Sequence, residues 1–266
     1  MKKTVKLFIL AFIAFLFLTS AIKINDASLK YKDFYFPVQK LTTPQVYHYT
    51  CSNQKFEDLY RVMSILKTKD STFLITDIYQ LDTNGFLSPV ESIKELITDM
   101  GAEVLSYSNY LYKTEIDSVF NASKPVGFKA KTNIIDGSIF SWNLRGNQQL
   151  QWKYQYDNPI DTHDFTTVTK NRNFYRNGKI YLMGNTYETC VFNDTLNYRV
   201  YNTLKKSNSL NYNYLQKSYY AKGLGLCKYE RKFGDQGLTY TLKEILSSDE
   251  FEEVKLNSKS IKINNN

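Results

Sequence analysis

The densest group of reactive side chains in this sequence is Asp161-Thr162-His163-Asp164, which places two carboxylates and an imidazole within four residues. Such a group could hold a divalent metal, or it could set a histidine general base beside a carboxylate that fixes its tautomer. The group follows Asn158-Pro159, a pair that favours a solvated turn. Asp161, His163 and Asp164 are therefore weak candidates for the metal site of an enzyme.

Other signs of catalytic chemistry are sparse. His48 is one of two histidines; it lies between Tyr47 and Tyr49 in a predicted strand and should face away from both, half exposed. No Gly-x-Ser-x-Gly motif occurs, and Gly223-Leu224-Gly225 lacks the third glycine and the following helix of a nucleotide-binding loop. We expect no catalytic residue and no cofactor, and we interpret the protein as a non-enzyme.

The three cysteines, Cys51, Cys190 and Cys227, allow at most one disulfide within the chain. Cys190 and Cys227 both lie in strand-like sequence near the C-terminus and are the preferred candidate pair. Buried free thiols fit the sequence about as well, because cysteine is among the residues most often buried.

The start of the chain has the pattern of a secretory signal peptide. Three lysines precede twelve apolar residues, 7–18, and the small residues that follow suit cleavage after Ala21. This apolar segment is short for a membrane helix, which needs about 20 residues. We predict a signal peptide at 1–21 and a secreted or periplasmic protein, with no lipid-anchoring cysteine directly after the apolar segment.

Removal of the signal peptide lowers the net charge. The full chain has 34 Lys and Arg residues against 26 Asp and Glu, a net charge of +8, and the mature chain keeps 31 basic residues, a net charge of +5. These basic residues form no long run, which argues against a nucleic-acid partner. No later segment is apolar for long enough to span a membrane as a helix. We therefore expect no transmembrane span in the mature chain.

Alternation of large and polar residues dominates the rest of the sequence. In 150–157 large residues occupy every second position, which is typical of a half-buried strand. Many such segments are joined by short turns, among them hairpin turns predicted at 145–148 and at Asn177-Gly178. We predict an all-β fold with one short helix, formed as a curved antiparallel sheet or half-barrel-like meander, in a single domain over 28–247.

Two segments depart from this alternation. Ser88 as the N-cap, Pro89 in the first turn, Glu91 and a terminating Gly101 together predict a short amphipathic helix. Residues 248–266 have little apolar periodicity and are predicted to be a disordered tail.

Tyrosine is abundant, with 22 residues that fall largely in the alternating segments. Rows of tyrosine on one face of a curved sheet could line a groove for a lipid, glycan or peptide, because each ring joins apolar area to a polar tip. Tyrosine is also a favoured strand residue, so the rows could be purely structural. We predict a cell-envelope binding module. The alternatives are a scaffold or adhesion protein and, less favoured, a metal-dependent enzyme using Asp161, His163 and Asp164.

The C-terminal part of the chain resembles a group of exported proteins. Tyr219-Tyr220-Ala221-Lys222-Gly223-Leu224-Gly225-Leu226, preceded by Gly184–Tyr187 and Phe192–Asp194, is similar to the "YAKGxGLxK" strand signature of uncharacterised exported proteins of the Bacteroidota. The resemblance implies a curved antiparallel sheet like the half-barrels of periplasmic lipid carriers, and it supplies no catalytic residue. Many of those proteins are lipid-anchored, whereas this chain lacks the anchoring cysteine.

Overall fold

The computed structural model describes residues 31–53, 58–117, 122–143, 148–234 and 236–264. From Tyr31 onward the chain forms one unit. The predicted signal peptide at 1–21 and most of the predicted turn at 145–148 lie outside the described residues.

Strands dominate the described part of the chain. A 3-10 helix spans Tyr31–Phe34 and an α-helix, α1, spans Ser248–Leu256. The strands are β1 Gln45–Cys51, β2 Asp58–Lys67, β3 Thr72–Leu81, β4 Phe86–Ile97, β5 Gly101–Asp117, β6 Ala122–Ala130, β7 Thr132–Ser141, β8 Gln149–Asp157, β9 Asp164–Leu182, β10 Asn185–Asn202, β11 Ser207–Ala221, β12 Gly225–Phe233, β13 Gln236–Leu246, β14 Lys259–Ser260 and β15 Lys262–Asn264.

Twelve of the described strands close into a barrel, so the predicted half-barrel or open curved sheet is wrong. The strands pair in the order β4, β3, β2, β1, β13, β12, β11, β10, β9, β8, β7, β5, and β5 then pairs with β4. This last pairing joins Glu91–Ile97 to Ala102–Asn109 and removes the two free edges of an open sheet. The pairings within the barrel are antiparallel, as predicted.

Two other pairings of the barrel join strands that are not neighbours in the sequence. β1 pairs with β13, where Val46 lies opposite Leu246. β5 pairs with three strands, because Gly101–Glu103 also contacts β7 while Asn109–Asp117 contacts β6, which is not one of the twelve. Alternation identifies strands and the faces that they bury, but it does not reveal which distant strand completes the sheet.

The predicted helix that begins at Ser88 is wrong, because this segment belongs to strand β4. Pro89 lies opposite Tyr79 at a register shift between β3 and β4, where a missing N–H is tolerated. β4 is paired on both edges, with β3 and β5, and its residues Ile93 and Glu95 are buried. Pairing on both edges therefore outweighs the local helix signals.

The hairpin turn predicted at Asn177-Gly178 lies further along the chain. β9 continues through these residues, and the turn consists of Met183 and Gly184, with φ angles of 48° and 79°. Two central residues with positive φ are the requirement of a type I′ turn. The resulting register buries Cys190 and Phe192 in the core. Burial of the strand, and not the Asn-Gly dipeptide, decides the position of the turn.

The predicted disordered tail, 248–266, contains helix α1. The backbone N–H of Glu250 donates to Ser247 Oγ, and the Glu250 carboxylate accepts from the backbone N–H of Ser247 at 2.6 Å, which completes a capping box. Phe251 is buried against Tyr60 on the outer side of the barrel. β14 and β15 then pair in parallel with β4 and β6. The Ser-x-x-Glu pattern of Ser247 and Glu250 thus indicates the start of this helix in the sequence.

The segment before β1 closes one end of the barrel. Tyr35 and Phe36 follow the 3-10 helix and are only 3% and 8% exposed. Tyr35 packs against Phe140 and Trp142, and Phe36 packs against Tyr47. These rings therefore fill an opening that strand pairing alone leaves at the barrel end.

Gly225, at the start of β12, is required by this packing. Its φ is +86°, and an added Cβ would lie 2.6 Å from Cδ1 of Phe36. We expect Gly225→Ala to lower the free energy of unfolding by about 2–4 kcal/mol, because backbone strain adds to displacement of the N-terminal segment. Urea unfolding measures this change.

Gly223→Ala is the matched control for that substitution. Gly223 also has a positive φ, +77°, but nothing lies within 4 Å of its added Cβ. The Gly223→Ala substitution should lower the free energy of unfolding only through backbone strain, by about 1 kcal/mol. Equal losses in the two variants would contradict the packing of Phe36 against Gly225.

Candidate functional site

The interior of the barrel is polar as well as aromatic. Alternate residues of each strand point inward, and on β9 to β12 several of these carry charged or amide groups. The inward polar set comprises Lys170, Arg172, Asp194, Gln216, Ser218 and Arg231. Buried charges require partners in a medium of low dielectric constant, so the contacts of these residues define the candidate site.

Asp194 lies at the centre of this set. Arg172 donates to its carboxylate through Nε at 2.8 Å and Nη2 at 3.0 Å, which is a bidentate pair. Ser218 Oγ donates at 2.6 Å, and Lys170 Nζ lies 3.1 Å away. Burial would raise the pKa of Asp194, but the two cations outweigh burial and hold that pKa well below its ordinary value. Asp194 is therefore ionised at neutral pH.

Arg172 uses its remaining donors on neighbouring strands. Its Nη1 donates to the carbonyl oxygen of Ile139 at 3.1 Å and to the hydroxyl of Tyr220 at 2.9 Å. The guanidinium carbon also lies 5.2 Å from the ring centre of Phe192, within the range of cation–π attraction. Arg172 on β9 thus contacts β7, β10 and β11.

A chain of hydrogen bonds extends from Asp194 to β12. Gln216 Nε2 donates to Ser218 Oγ at 2.8 Å, and Arg231 Nε donates to Gln216 Oε1 at 2.7 Å. The Arg231 guanidinium also lies over the ring of Tyr229, 4.9 Å from its centre. The network therefore connects four consecutive strands through the interior.

Among the described residues, two interior groups have pKa values near neutrality. Burial lowers the pKa of Lys170 to about 8, against the opposing effect of Asp194. Burial raises the pKa of Glu95 to about 7, against the effects of its hydrogen bond from Tyr35 and of nearby arginines. Tyr35 Oη donates to Glu95 Oε2 at 2.8 Å. The segment that closes the barrel end is therefore bonded to an interior carboxyl group.

A cavity of about 90 Å³ remains within the barrel. Its walls include the charged residues Arg61, Glu91, Lys170 and Arg231 and the aromatic residues Tyr107, Trp152, Tyr198 and Tyr229. Many of the tyrosines thus face inward, but they fill the interior instead of lining an open groove. Ligand pockets usually measure about 300–1,000 Å³. The interior is therefore too small for the lipid, glycan or peptide expected in a tyrosine-lined groove.

A larger pocket of about 370 Å³ lies at the closed end of the barrel, and we name it the mouth pocket. Residues 35–40 form one side of it. Its apolar walls include Phe36, Ile97 and Trp142, and its polar edge includes Lys32, Asp33, Lys40 and Lys222. Trp142 is held in place because its Nε1 donates to the carbonyl oxygen of Thr98 at 2.9 Å.

The candidate metal ligands do not converge on one point. Asp161 and His163 are exposed in the turn between β8 and β9, where Asp161 Oδ1 accepts from the backbone N–H of His163 at 3.1 Å. Asp164 accepts from the side chain of Asn202 at 2.7 Å. Among the described residues, no three His, Cys, Asp or Glu side chains are arranged to hold a metal ion. The carboxylates instead hydrogen-bond within the turn and to the adjacent strand.

His48 is buried and not half exposed. It faces away from the two flanking tyrosines as predicted, but only 5% of its surface is accessible, because Tyr60 stacks on the ring at 4.5 Å. Its Nδ1 lies 2.8 Å from Glu244 Oε1 and its Nε2 lies 3.0 Å from Asp58 Oδ2. Both ring nitrogens are thus occupied by carboxylates on neighbouring elements.

Cys190 and Cys227 are buried free thiols in the structure. They lie on β10 and β12, with β11 between them. Burial raises the pKa of Cys190 and raises the pKa of Cys227 to about 12. Both groups are therefore protonated at neutral pH, as expected for core cysteines.

Sequence reasoning missed Lys170, Arg172 and Asp194, although a signal was present. Lys170 and Arg172 occupy the same alternate positions as the apolar residues Val168 and Phe174. A charged residue in the apolar register of a strand indicates a buried partner. The identity of that partner depends on strand order, which the sequence does not reveal.

We expect Asp194→Asn to lower the free energy of unfolding by about 3–5 kcal/mol, because it leaves Arg172 and Lys170 buried without their carboxylate. Urea unfolding measures the loss. Glu188→Gln is the control, because it removes the exposed partner of Lys222 at 3.1 Å and should change the same quantity by less than about 1 kcal/mol. A comparably small loss in Asp194→Asn would show that the interior pair does not sustain the fold.

Glu95 makes stability depend on pH in a defined direction. Its pKa of about 7 exceeds its ordinary value of 4.5, so between these values the folded state holds the proton more tightly than the unfolded state. This contribution to stability is complete below the lower value and is lost as the pH rises through about 7. The difference in free energy of unfolding between wild type and Glu95→Gln should therefore fall from about pH 5 to about pH 8. A constant difference would contradict a buried, titrating Glu95.

Comparisons with known proteins give a likeness at the level of fold. No family model and no curated protein matches the chain. A predicted lipoprotein from Parabacteroides distasonis superposes with a TM-score of 0.54 and 12% identity, over 80% of this chain and 98% of that one. A predicted exported protein with a YmcC-like fold from Bacteroides fragilis gives 0.48 and 8% identity, over 80% and 99%.

The likeness to the Parabacteroides distasonis protein is one of fold alone, and it does not test the strand signature at Tyr219–Leu226. None of the described helices is long and apolar enough to cross a membrane. At such low identity the likeness says nothing about activity. The chain is thus similar in fold to a Parabacteroides distasonis protein that is predicted to be a lipoprotein.

Proposed function

We propose that the protein is an exported, non-enzymatic binding protein of the cell envelope that holds an acidic lipid in the mouth pocket. The observation that carries this proposal is the pocket itself, a space of about 370 Å³ with aromatic walls and three lysines at its edge. Export to the periplasm or beyond rests on the signal-peptide pattern at 1–21.

The mouth pocket has the size and composition of a ligand site. Such sites usually measure about 300–1,000 Å³ and combine apolar walls with a few polar groups that orient the ligand. Phe36, Ile97 and Trp142 provide the apolar walls. An acyl chain placed against them would gain about 25 cal/mol for each square ångström of apolar surface removed from water.

The edge of the mouth pocket is positively charged. The pocket is lined by three lysines, Lys32, Lys40 and Lys222, and by one carboxylate, that of Asp33. Lys222 also pairs with Glu188, but both groups are exposed, and such pairs contribute little to stability in water. The lysines are therefore available to the carboxylate or phosphate headgroup of an acidic lipid.

Of the three ligand classes considered from the sequence, a lipid fits this geometry best. Glycans commonly stack on an open aromatic face, whereas Tyr35 and Trp142 are only 3% and 4% exposed. Peptides commonly extend a free sheet edge, and the strands beside the pocket are paired on both sides. An acyl chain needs no free sheet edge and no flat stacking on a ring, only contact with the apolar side chains that line the pocket.

Binding is favoured over catalysis by the positions of the two imidazoles. His163 is exposed in a turn, and the two nitrogens of His48 are held by carboxylates. Neither residue lines the mouth pocket or the interior cavity. A general base of the most common type is therefore missing from both spaces.

Fluorescence of Trp142 tests the proposal. The chain has two tryptophans, so Trp152→Phe leaves Trp142, in the pocket wall, as the only indole. We expect dodecanoate to change its emission saturably. Dodecanol has the same chain without the charge and should bind about tenfold more weakly, since a hydrogen bond to a charged group contributes about 1.5–3 kcal/mol.

Lysine substitutions locate the site. In the same background, Lys222→Met should weaken dodecanoate binding about fivefold and leave dodecanol binding unchanged, since one charge-assisted contact is lost. Lys179→Met, at an exposed position of β9, is the control and should change neither. No saturable response, or equal affinity for the two probes, would contradict the proposal. A glycan or peptide found on the purified protein by native mass spectrometry would contradict the choice of a lipid.

A further inference from the structure

We propose that the cavity inside the barrel binds one small oxyanion, such as phosphate or a short carboxylate, with Arg61 and Arg231 as its principal donors. This site is distinct from the mouth pocket. The proposal stands whether or not the protein binds a lipid.

The interior contains more positive than negative charge. Of the residues that the structure describes, four cations line the cavity, namely Arg61, Lys170, Arg172 and Arg231, and three carboxylates lie among them, Glu91, Glu95 and Asp194. Asp194 serves both Lys170 and Arg172. At least one positive charge is therefore in excess, in an interior where an uncompensated charge is strongly unfavourable.

Arg61 and Arg231 carry this excess. Neither has a carboxylate within ion-pair distance in the part of the chain that the structure describes. Arg231 donates to the neutral side chain of Gln216, and the Arg61 guanidinium carbon lies 5.8 Å from the ring centre of Tyr49. Glu91 acts on both arginines only at longer range.

The cavity also holds donors that have no acceptor. Arg61 Nε and Trp152 Nε1 are buried nitrogens without a hydrogen-bond partner among the described residues. Both side chains line the cavity. A buried donor left unsatisfied costs about 1–3 kcal/mol. These two donors therefore lack an acceptor, and an oxyanion supplies several acceptor oxygens at once.

The size of the cavity separates this ligand from its alternatives. One water molecule needs a cavity volume of about 10–15 Å³. The interior cavity, of about 90 Å³, therefore holds either several waters or one small anion. Waters would satisfy the donors but leave the excess positive charge, whereas an oxyanion satisfies the donors and also neutralises that charge. The planar fork of a guanidinium also matches the oxygens of a phosphate or carboxylate.

A substitution of Glu91 is expected to strengthen anion binding, whereas a substitution of Arg61 is expected to weaken it. The Glu91 carboxylate lines the same cavity and would repel a bound anion. Glu91→Gln should therefore tighten anion binding, while Arg61→Met should weaken it. If Glu91 and Arg61 had only a structural role, the two substitutions would not change anion affinity in opposite directions.

The experiment follows the melting temperature at constant ionic strength while chloride is replaced by phosphate, sulfate or acetate. We expect at least one oxyanion to raise the wild-type value by about 5 °C near saturation. The rise should be larger in Glu91→Gln and absent in Arg61→Met. Arg199→Met removes an exposed arginine of β10 and is the matched control that should keep the wild-type rise.

An anion bound too tightly to exchange would not appear in that titration. Ion chromatography of the solution released by denaturing desalted wild-type protein detects it, and we expect about one anion per chain. The identity of the released ion, or the most effective of the three salts, distinguishes a phosphate or sulfate from a carboxylate.

Three results would overturn the proposal. The first is a wild-type melting temperature that responds to none of the three oxyanions, together with no anion released on denaturation, which would indicate a cavity filled by water. The second is a rise that persists in Arg61→Met and disappears in Lys222→Met, which would place the anion in the mouth pocket. If Arg61→Met does not fold, the third is an unchanged or smaller rise in Glu91→Gln.

Discussion

Backbone hydrogen bonding between β4 and β5 closes the sheet and gives this protein an interior that its side chains must fill. Barrels of about eight strands are just wide enough for ordinary side chains to fill, and wider barrels leave space. With twelve strands, long aromatic and charged side chains occupy much of the interior. Aromatic rings, buried arginines and the inserted Tyr35 and Phe36 are thus three responses to one geometric constraint.

The buried ionic network depends on one register of the strands β9 to β11. Replacing a buried ion pair by apolar residues is often neutral or stabilising, whereas removing one partner is severe. Arg172, Asp194 and Ser218 lie on β9, β10 and β11, and a slip of one residue in any of these strands would turn a polar side chain away from its partner. On the outer face, His48 serves the same purpose between Asp58 and Glu244.

Local patterns predict much of the secondary structure, and contacts between distant segments decide the rest. The alternation at 150–157 is confirmed as β8, paired antiparallel to β7. The local helix signals at Ser88 and Ser247 have similar quality, yet only the second begins a helix, because the first is held in β4 by partners on both edges. Arg172 and Asp194 stand out as charges at inward positions, but their pairing requires the strand order, which periodicity does not contain.

The pairing of Val46 with Leu246 has a consequence for how the chain folds. The first strand of the barrel is completed by the last, so a chain made from its N-terminus exposes one edge of β1 until β13 is available. Formation of this pair is slowed by loop-closure entropy, because β1 and β13 are the barrel strands furthest apart in the sequence. An unpaired edge meanwhile attracts other chains. We therefore expect the barrel to fold once the whole chain is present, and not one hairpin at a time during synthesis.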